Sequence, residues 1–548
     1  MGLKRQFTPL SLLLLSVNGM VGSAWLFAPL YAAKIAGSAA IIAWVIGGLI
    51  TAVIALTFAE LSVLFPIAGG SAQIPQISHG VLASFLLSWV GWLSGLTMAP
   101  IEVQAILQYA SNYISSLTYM NGQVPVLTGT GLITATLLML IFTVINIMGY
   151  KGLARFNSLL FFIKVTIIVI AIGMIAMTKF HSDNFRGLLP SALTVTSWQA
   201  ILTAVAAGGV AFAFTGFKHG VELAGEAKQF VLAIPLAIIG SIVICLILYL
   251  GLQVSFIGAL EPSTIKHGWQ SLTFAGDMGP LAGLAGGLGL IWLVKLLYVD
   301  AILSPAGAGL IYMTSTARIL FAMSQIGYLP KWLSYLNRHQ FPVVAIWVNF
   351  FLGMFLFLPL PGWQAMVSFL VSGMVISYAI GPIALLCMRI ELPEKPRPFR
   401  LPLAHIICPL AFYFCNLLSY WCGWDTIWKL AVAIVIGLAV FSLIQLRTRN
   451  RYSHLGLKSL VWLGPYFIGL VLISYLGAFG GKHIIPFGAD FIVIGLFSLV
   501  IFYLAIKSRI SFSEPGLLPS QLHPLTEATI VETFSALREQ IETTRDHN

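Results

Sequence analysis

Continuous apolar runs of about 20 residues extend along this chain from Ser11 to Lys507, separated only by short loops. A run of this length is what an α-helix needs to cross the hydrocarbon core of a bilayer. The strands of a membrane β-barrel would instead alternate apolar and polar residues. The charged fraction is 9%, well below the roughly 25% of soluble domains. The sequence therefore predicts an all-α, polytopic membrane protein.

The apolar runs predict fourteen membrane-spanning helices, followed by a polar tail at 511–548 that is either a cytoplasmic helix or disordered. The predicted spans are 8–33, 37–65, 81–110, 129–149, 155–178, 198–217, 231–254, 285–318, 342–360, 364–389, 402–421, 427–446, 459–479 and 487–506.

The Lys and Arg residues predict the orientation of these spans. Placing both termini in the cytoplasm leaves twenty-one basic residues on the cytoplasmic side and six outside, with Lys164 and Lys295 inside helices. This asymmetry follows the positive-inside rule and predicts a multi-pass protein of the cytoplasmic membrane. The basic residues are therefore topological signals and contacts for anionic lipids, and we expect no nucleic-acid binding.

The sequence offers no catalytic or cofactor-binding motif. A nucleotide-binding P-loop, a zinc-protease motif, a nucleophile elbow and a kinase signature are all missing, so we expect neither ATP hydrolysis nor enzyme activity. The five cysteines fall inside apolar runs without metal-ligand spacing, which predicts reduced thiols and no metal. They are Cys245, Cys387, Cys408, Cys415 and Cys422.

Two of the predicted helices carry interruptions, and they lie five helices apart. The first is at Gly19–Ser23 and the sixth at Phe212–Phe217. Unwound backbone lies within a membrane only where it lines a cavity, and paired interruptions are typical of secondary transporters with inverted repeats. The N-terminal end of a half-helix favours an anionic group and the C-terminal end a cationic group, so a zwitterion suits such a site. Alternatively, the glycines only allow helices to pack closely.

Several motifs together resemble the amino acid–polyamine–organocation (APC) superfamily of permeases over about residues 5–450. Span 1 contains N-G-M-V-G-S-A-W-L-F-A-P, and span 2 ends in A-E-L-S followed by F-P-I-A-G-G-S. Span 6 contains F-A-F-T-G-F and continues to G-E-A-K, and span 8 ends in T-A-R-I-L-F-A-M-S-Q-I-G-Y-L-P. The pattern is most similar to the aspartate–proton symporter group.

The resemblance implies the leucine-transporter fold, with a 5+5 inverted repeat in spans 1–10. We expect a transport core at 1–395, with repeats at about 8–178 and 198–389. Spans 11–14, within 396–510, would lie outside this core.

The resemblance also implies a substrate site at the two interruptions. The substrate's α-carboxylate is expected at Gly22, Ser23 and Ala24, although glycine is usual in the family where Ala24 stands here. The amino group is expected at carbonyls near Met20, Phe212 and Thr215, and Phe212 resembles the aromatic gate. The expected substrate-binding residues of this site are Met20, Val21, Gly22, Ser23, Ala24, Phe212, Thr215 and Gly216.

Three ionisable residues embedded in apolar sequence are candidates for proton coupling. Lys164 lies in the middle of span 5, and a charge at that depth is functional by default. In proton-coupled relatives, a lysine here occupies a region that binds sodium elsewhere and ties spans 1 and 8 together. Alternatively, Lys164 is a structural ammonium. Glu102 and Asp300 would carry a proton or face an outer vestibule, or else Glu102 bonds a neighbour and Asp300 pairs with Lys295.

Lys218 follows the interruption of span 6, where many relatives carry a glutamate. A cation facing the pocket would favour an anionic side chain in the substrate, while the alternative is a lysine at the cytoplasmic end of the helix. Glu60, Glu222 and Glu226 are expected at the cytoplasmic helix ends. They are either solvated there, which the sequence slightly favours, or form gate contacts with a basic residue such as Arg318.

The sequence thus predicts a proton-coupled amino acid symporter that leans towards acidic amino acids and needs no cofactor. Its partners would be the amino acid, the proton and membrane lipids. An amino acid antiporter and a symporter for neutral amino acids stay open as alternatives, and a permease-like nutrient sensor is a more remote one.

Overall fold

The computed structural model describes residue 5 and residues 7–67, 70–122, 124–148, 153–186, 195–274, 279–337, 341–447 and 457–511. Within these ranges, ten helices are long and apolar enough to cross a membrane, or eleven when one bent pair counts as a span. Three shorter apolar helices accompany them. Most of the predicted polar tail lies outside the described residues.

Each of the fourteen predicted spans coincides with a helical segment. Spans 1 to 5 are Pro9–Met20 with Ala24–Ala36, Ala40–Leu64, Val81–Leu96 with Met98–Ala110, Gly129–Met148, and Leu153–Thr178. Span 6 is Val195–Ala207, Phe212–Phe217 and Lys218–Glu222, and span 7 is Phe230–Pro235, Leu236–Gly240 and Ser241–Ala259. Spans 8 to 10 are Ile291–Gln325, Val343–Leu356, and Gly362–Tyr378 with Ile380–Glu391. Spans 11 to 14 are Ala404–Trp421, Trp424–Arg447, Leu460–Leu476 and Ala489–Lys507.

The structure corrects the prediction for span 8, which was placed at 285–318. The helix begins at Ile291 and ends at Gln325, and Pro280–Gly287 is a separate short helix before it. The two helices are separated at Gly289, whose φ of 76° favours glycine and ends the first helix. Apolar composition alone does not reveal such a break, because both helices belong to one hydrophobic run.

Short elements not among the predicted spans complete the fold. Helix Gly70–His79 lies between spans 2 and 3 and packs against span 3. The strands Thr118–Asn121 and Val124–Leu127 form an antiparallel hairpin between spans 3 and 4. The hairpin also contacts span 10.

The halves of spans 1 and 6 pack against each other in opposite chain order. Helix Pro9–Met20 contacts Phe212–Phe217 and Lys218–Glu222, which form the second part of span 6. Helix Ala24–Ala36 contacts Val195–Ala207, which is the first part. The two interrupted helices therefore run antiparallel with their breaks side by side, as an inverted repeat requires.

Burial separates the central spans from those that face the surroundings. In the most apolar window of each helix, 94% of residues are buried in spans 3 and 10, against 33% in span 4 and 28% in span 12. Large apolar side chains such as Ile133, Val435 and Leu499 are exposed. In a membrane protein these exposed surfaces face lipid, so spans 3 and 10 form the centre of the bundle together with the broken helices.

One end of the bundle is held by a buried carboxylate. Glu60 of span 2 is 1% exposed and accepts hydrogen bonds from Arg389 at 3.0 and 2.6 Å and from the Leu401 amide at 2.7 Å. Arg397 lies 3.3 Å from the same carboxylate. The favoured interpretation of Glu60 as a solvated helix end is therefore wrong, since it joins span 2 to span 10 and to the connection before span 11.

We expect Glu60→Ala to lower the free energy of unfolding by about 3 kcal/mol, because the change leaves the partly buried guanidinium groups of Arg389 and Arg397 without their carboxylate. The midpoint of thermal unfolding in detergent would measure the loss. Asp425→Ala is the control, because this carboxylate pairs with Lys429 but is 80% exposed. Its loss should change stability by about 1 kcal/mol or less. Equal unfolding midpoints for the two variants would contradict the prediction.

Candidate functional site

The break in span 1 covers Val21, Gly22 and Ser23, and the second half of the span begins at Ala24. Ser23 has right-handed helical φ and ψ, and Ala24 is not among the described residues with positive φ. The departure from glycine at position 24 is therefore accommodated without left-handed backbone. At Gly22, a Cβ atom would lie 2.4 Å from a carboxylate oxygen of Glu102, so glycine leaves room for this carboxylate beside the break.

The break in span 6 lies before the predicted segment. The α-helix ends at Ala207, and the chain turns through Gly208 and Gly209. Phe212–Phe217, which the sequence predicted as unwound, then forms a 3₁₀ helix. Gly209 has φ +91°, and a Cβ there would lie 2.7 Å from the ring of Trp363. The adjacent glycines carried the signal for the correct position, because only glycine adopts this φ without strain.

Lys164 connects three spans at the centre of the bundle. Its side chain is fully buried, and its ammonium donates hydrogen bonds to the carbonyl of Val21 at 2.9 Å and to the carbonyl of Ser304 at 3.0 Å. The first carbonyl belongs to the break of span 1 and the second to span 8. Lys164 of span 5 is therefore a tie between spans 1 and 8, which is the geometry that the family resemblance implies.

The two candidate acids are fully buried on either side of this tie. Glu102 of span 3 accepts a hydrogen bond from the Ser23 amide at 2.8 Å, and Asp300 accepts one from the Ser304 hydroxyl at 2.7 Å. Neither faces an outer vestibule, so that alternative is wrong for both. Lys295 is exposed, so its predicted pairing with the fully buried Asp300 is wrong as well.

The carbonyls expected to bind an amino group lie together, and hydroxyl groups of the protein donate to them. Tyr249 donates to the carbonyl of Met20 at 2.9 Å, and Thr215 donates to the carbonyl of Phe212 at 2.8 Å. The hydroxyls of Thr215 and Tyr312 are 3.1 Å apart. Sequence reasoning missed both tyrosines, because each lies on a helix remote in sequence from the two breaks.

Gly216 brings the two broken helices into contact. A Cβ at this position would lie 2.6 Å from the backbone nitrogen of Met20. Any larger residue would push span 6 away from span 1, because backbone cannot move aside as a flexible side chain does.

Phe212, the predicted aromatic gate, belongs to a cluster of aromatic rings. The ring of Trp363, at the start of span 10, stacks on Phe27 and Tyr31 and meets the ring of Phe212 edge to face at 5.7 Å. Its indole nitrogen donates to the Ser23 hydroxyl at 2.9 Å. Trp363 is 1% exposed. The cluster therefore lies over the break of span 1 and is hydrogen-bonded to Ser23, one of the residues predicted to bind the substrate.

Lys218 is buried, and its charge is balanced by a neighbour. Its ammonium lies 3.7 Å from a carboxylate oxygen of Glu222 and 5.6 Å from the ring centre of Tyr378. The Tyr378 hydroxyl in turn donates to the carbonyl of Thr215 at 3.4 Å. Lys218 is thus a buried cation next to a carboxylate, and Tyr378 connects its surroundings to the predicted site.

A second contact joins span 8 to the end of span 6. Arg318 donates to Glu226 at 2.9 Å, and Glu226 is 2% exposed. The Phe7 amide donates to the Glu226 carbonyl at 3.1 Å, and the Lys228 backbone amide donates to the Phe7 carbonyl at 2.7 Å. Glu222 is also buried, at 8% exposed, so the favoured interpretation of solvated helix ends is wrong for both glutamates. The alternative contact with Arg318 is present for Glu226.

No group of three or more His, Cys, Asp or Glu residues that could hold a metal ion occurs in the described part of the chain. All five cysteines are buried and unpaired, as the sequence predicted.

Two broken antiparallel helices that present backbone groups at the centre of a helical bundle define a membrane transport protein. The sequence profile described as "Amino acid permease" matches residues 7–441. The chain therefore belongs to the amino acid permease family, within the APC superfamily.

Curated relatives match nearly the whole chain. The "Glutamate/serine transporter AimA" of Bacillus subtilis (strain 168) is 36% identical over 516 residues, covering 92% of this chain and 94% of the relative. The "Aspartate-proton symporter" of the same organism is 34% identical over 500 residues, covering 90% and 94%. The "Branched-chain amino acid permease BcaP" of Bacillus subtilis (strain 168) is 26% identical over 469 residues, covering 80% of this chain and 93% of the relative.

The hydrogen bond between Trp363 and Ser23 predicts that the two residues act together in amino acid binding. We expect Trp363→Phe and Ser23→Ala each to weaken binding about fivefold, because a typical hydrogen bond contributes about 1 kcal/mol. The double variant should lose little more than either single variant, since both remove the same bond. Dissociation constants in detergent would measure this, and fully additive losses would contradict it.

Proposed function

We propose that the protein is a secondary active transporter that imports an amino acid together with a proton by alternating access. Its preferred substrates are acidic amino acids such as aspartate or glutamate. The names of two of these relatives, a glutamate/serine transporter and an aspartate-proton symporter, support this substrate class. The transporter would lie in the cytoplasmic membrane with both termini in the cytoplasm, an orientation supported by the distribution of Lys and Arg.

In this proposal the two breaks bind the amino and carboxylate groups of the substrate. Amides at Gly22–Ala24 lie at the N-terminal end of a half-helix, where an anion is stabilised. Carbonyls near Met20, Phe212 and Thr215 take the amino group, and the aromatic cluster around Trp363 closes over the substrate. Residues 1–395 form the transport core, with repeats at about 8–178 and 198–389, and spans 11–14 within 396–510 lie outside it.

Lys164 carries the coupling to the proton, and its two hydrogen bonds are the observation on which the proposal rests. Hydrogen bonds from an ammonium are roughly twice as strong as those from a neutral donor. Loss of the proton therefore weakens the tie between the break of span 1 and span 8. Rearrangement of these two spans then follows the protonation of one side chain, which is what a symporter needs.

Selection of the substrate's side chain would fall to Lys218. Its ammonium is paired with Glu222 over 3.7 Å, which is longer than a strong ionic hydrogen bond. An acidic substrate can therefore compete for this cation with its own side-chain carboxylate. A lysine or arginine substrate would meet a like charge and be disfavoured.

The contact between Arg318 and Glu226 would serve as the inner gate. It joins span 8 to the connection after span 6, on the side that the basic residues predict to be cytoplasmic. Release of the substrate to that side requires the contact between Arg318 and Glu226 to break.

Lys164→Ala is expected to abolish accumulation of radiolabelled aspartate in proteoliposomes driven by an inward proton gradient without sodium. The physical reason is that alanine offers no proton site and no tie between spans 1 and 8. Lys295→Ala is the matched control, because this lysine is exposed on span 8, and it should accumulate aspartate as the wild type does.

Counterflow of preloaded aspartate distinguishes the remaining outcomes of that experiment. Wild-type protein that exchanges aspartate but never accumulates it with a proton gradient is an antiporter, and Lys164 is then structural. Accumulation of serine while aspartate is ignored would overturn the acidic preference alone. Undiminished proton-driven uptake by Lys164→Ala would overturn the coupling role.

Lys218→Met should lower the preference for aspartate over serine by about tenfold or more, because a hydrogen bond to a charged group contributes about 1.5–3 kcal/mol. Competition of each amino acid with labelled substrate would measure this ratio. Glu222→Gln is the complementary variant. It removes the carboxylate that neutralises Lys218, so it should raise the preference for aspartate over serine. A ratio unchanged in both variants would assign the pair a purely structural role.

A further inference from the structure

A carboxylate of the protein lies where the substrate's own carboxylate is expected. Glu102 reaches from span 3 to the N-terminal end of helix Ala24–Ala36 and accepts the Ser23 amide hydrogen bond at 2.8 Å. Its other carboxylate oxygen, Oε1, is buried without a hydrogen-bond partner in the described part of the chain. The side chain is fully buried and lies against Gly22 of span 1 and Gly309 of span 8.

The geometry allows only one carboxylate at this amide. A backbone N–H is a single donor, so a substrate carboxylate that takes the Ser23 hydrogen bond removes it from Glu102. Two carboxylates in one dry, low-dielectric site also repel each other strongly. Glu102 and the substrate must therefore occupy this helix end in turn.

The surroundings decide the form in which Glu102 leaves. Once displaced, the carboxylate has lost its hydrogen bond from the Ser23 amide, and Oε1 has no hydrogen-bond donor among the residues that the structure describes. An ionised carboxylate without donors in an apolar site is far less stable than the neutral acid. Displacement is therefore accompanied by uptake of a proton from solution onto the carboxyl group of Glu102.

The titratable groups near Glu102 are few, and none is an obvious alternative site for this proton. Those acting on Glu102 or on its neighbours are Lys164 of span 5, Tyr249 of span 7, and Asp300 and Tyr312 of span 8. Lys164 already donates to two backbone carbonyls. Spans 4 and 9, which also pack on this part of span 3, carry no ionisable side chain between Gly129 and Met148 or between Val343 and Leu356.

We infer that Glu102 is a tethered mimic of the substrate's α-carboxylate, which occupies the Ser23 amide until an amino acid displaces it as the neutral acid. This inference rests on the proposed function and adds a residue that competes with the substrate. It makes substrate binding itself a proton-uptake step, separate from any protonation of Lys164. It is consistent with glycine at position 22, since a Cβ atom there would lie 2.4 Å from Oε1 of Glu102.

The test is calorimetric titration of the purified, full-length protein with L-aspartate and with L-serine, in two buffers of different ionisation enthalpy. Binding to the wild type should take up about one proton per amino acid, and affinity should fall as pH rises. Glu102→Gln should bind the amino acid about tenfold or more tightly at neutral pH, because a neutral amide holds the Ser23 N–H less strongly. Its proton uptake should disappear.

Two further variants keep the outcome clear. Glu102→Asp retains an acid but withdraws it by one methylene from the Ser23 amide, so it should also bind more tightly, with reduced proton uptake. Asp490→Asn neutralises another buried carboxylate, which accepts from Tyr420 at 3.0 Å in the C-terminal spans. This control should bind and take up protons as the wild type does.

Each failure has its own signature. Weaker binding by both Glu102 variants, or proton uptake that persists in Glu102→Gln, would overturn the inference while leaving the transporter proposal intact. A wild type that binds and transports no amino acid would overturn the proposed function, and this inference with it.

Discussion

Backbone groups that leave a helix within a membrane need hydrogen-bond partners from the protein, and the whole centre of this structure depends on meeting that need at the break of span 1. Lys164 donates to the Val21 carbonyl, Tyr249 to the Met20 carbonyl, and Glu102 accepts from the Ser23 amide. These side chains come from spans 5, 7 and 3. The break is therefore the point at which otherwise separate helices are tied together.

The same contacts make the site suitable for transport. Side chains with ionisable and hydroxyl groups, and not fixed backbone, are the hydrogen-bond partners of the break in span 1. Such side chains can move away when the charged groups of an amino acid take their place. The aromatic cluster around Trp363 adds a cover that is hydrogen-bonded to Ser23. At the opposite end, the pair of Arg318 and Glu226 joins span 8 to span 6. In the proposed function, binding, covering and gating would thus involve the same two broken helices.

Much of this arrangement was predictable from sequence. The apolar runs located a helical segment for each of the fourteen spans, and the glycine-containing motif located the break of span 1. The charge of Lys164 within an apolar span singled it out, and the family resemblance implied its tie to spans 1 and 8. The break of span 6 was placed too late, at Phe212, although Gly208 and Gly209 marked it. The start of span 8 was wrong because two helices share one apolar run. Glu60, Glu222 and Glu226 were thought solvated, because a helix end in sequence does not reveal what packs over it.

The sequence by itself determined which segments lie in the membrane and where their helices can break, because hydropathy and the conformational freedom of glycine act over short stretches of chain. The tertiary structure alone decided the partners. Ser23 and Trp363 are 340 residues apart, Lys164 and Val21 are 143 apart, and Glu102 and Ser23 are 79 apart. Such pairs form only when the packing of all the spans fixes their distance and direction, and no local pattern encodes them.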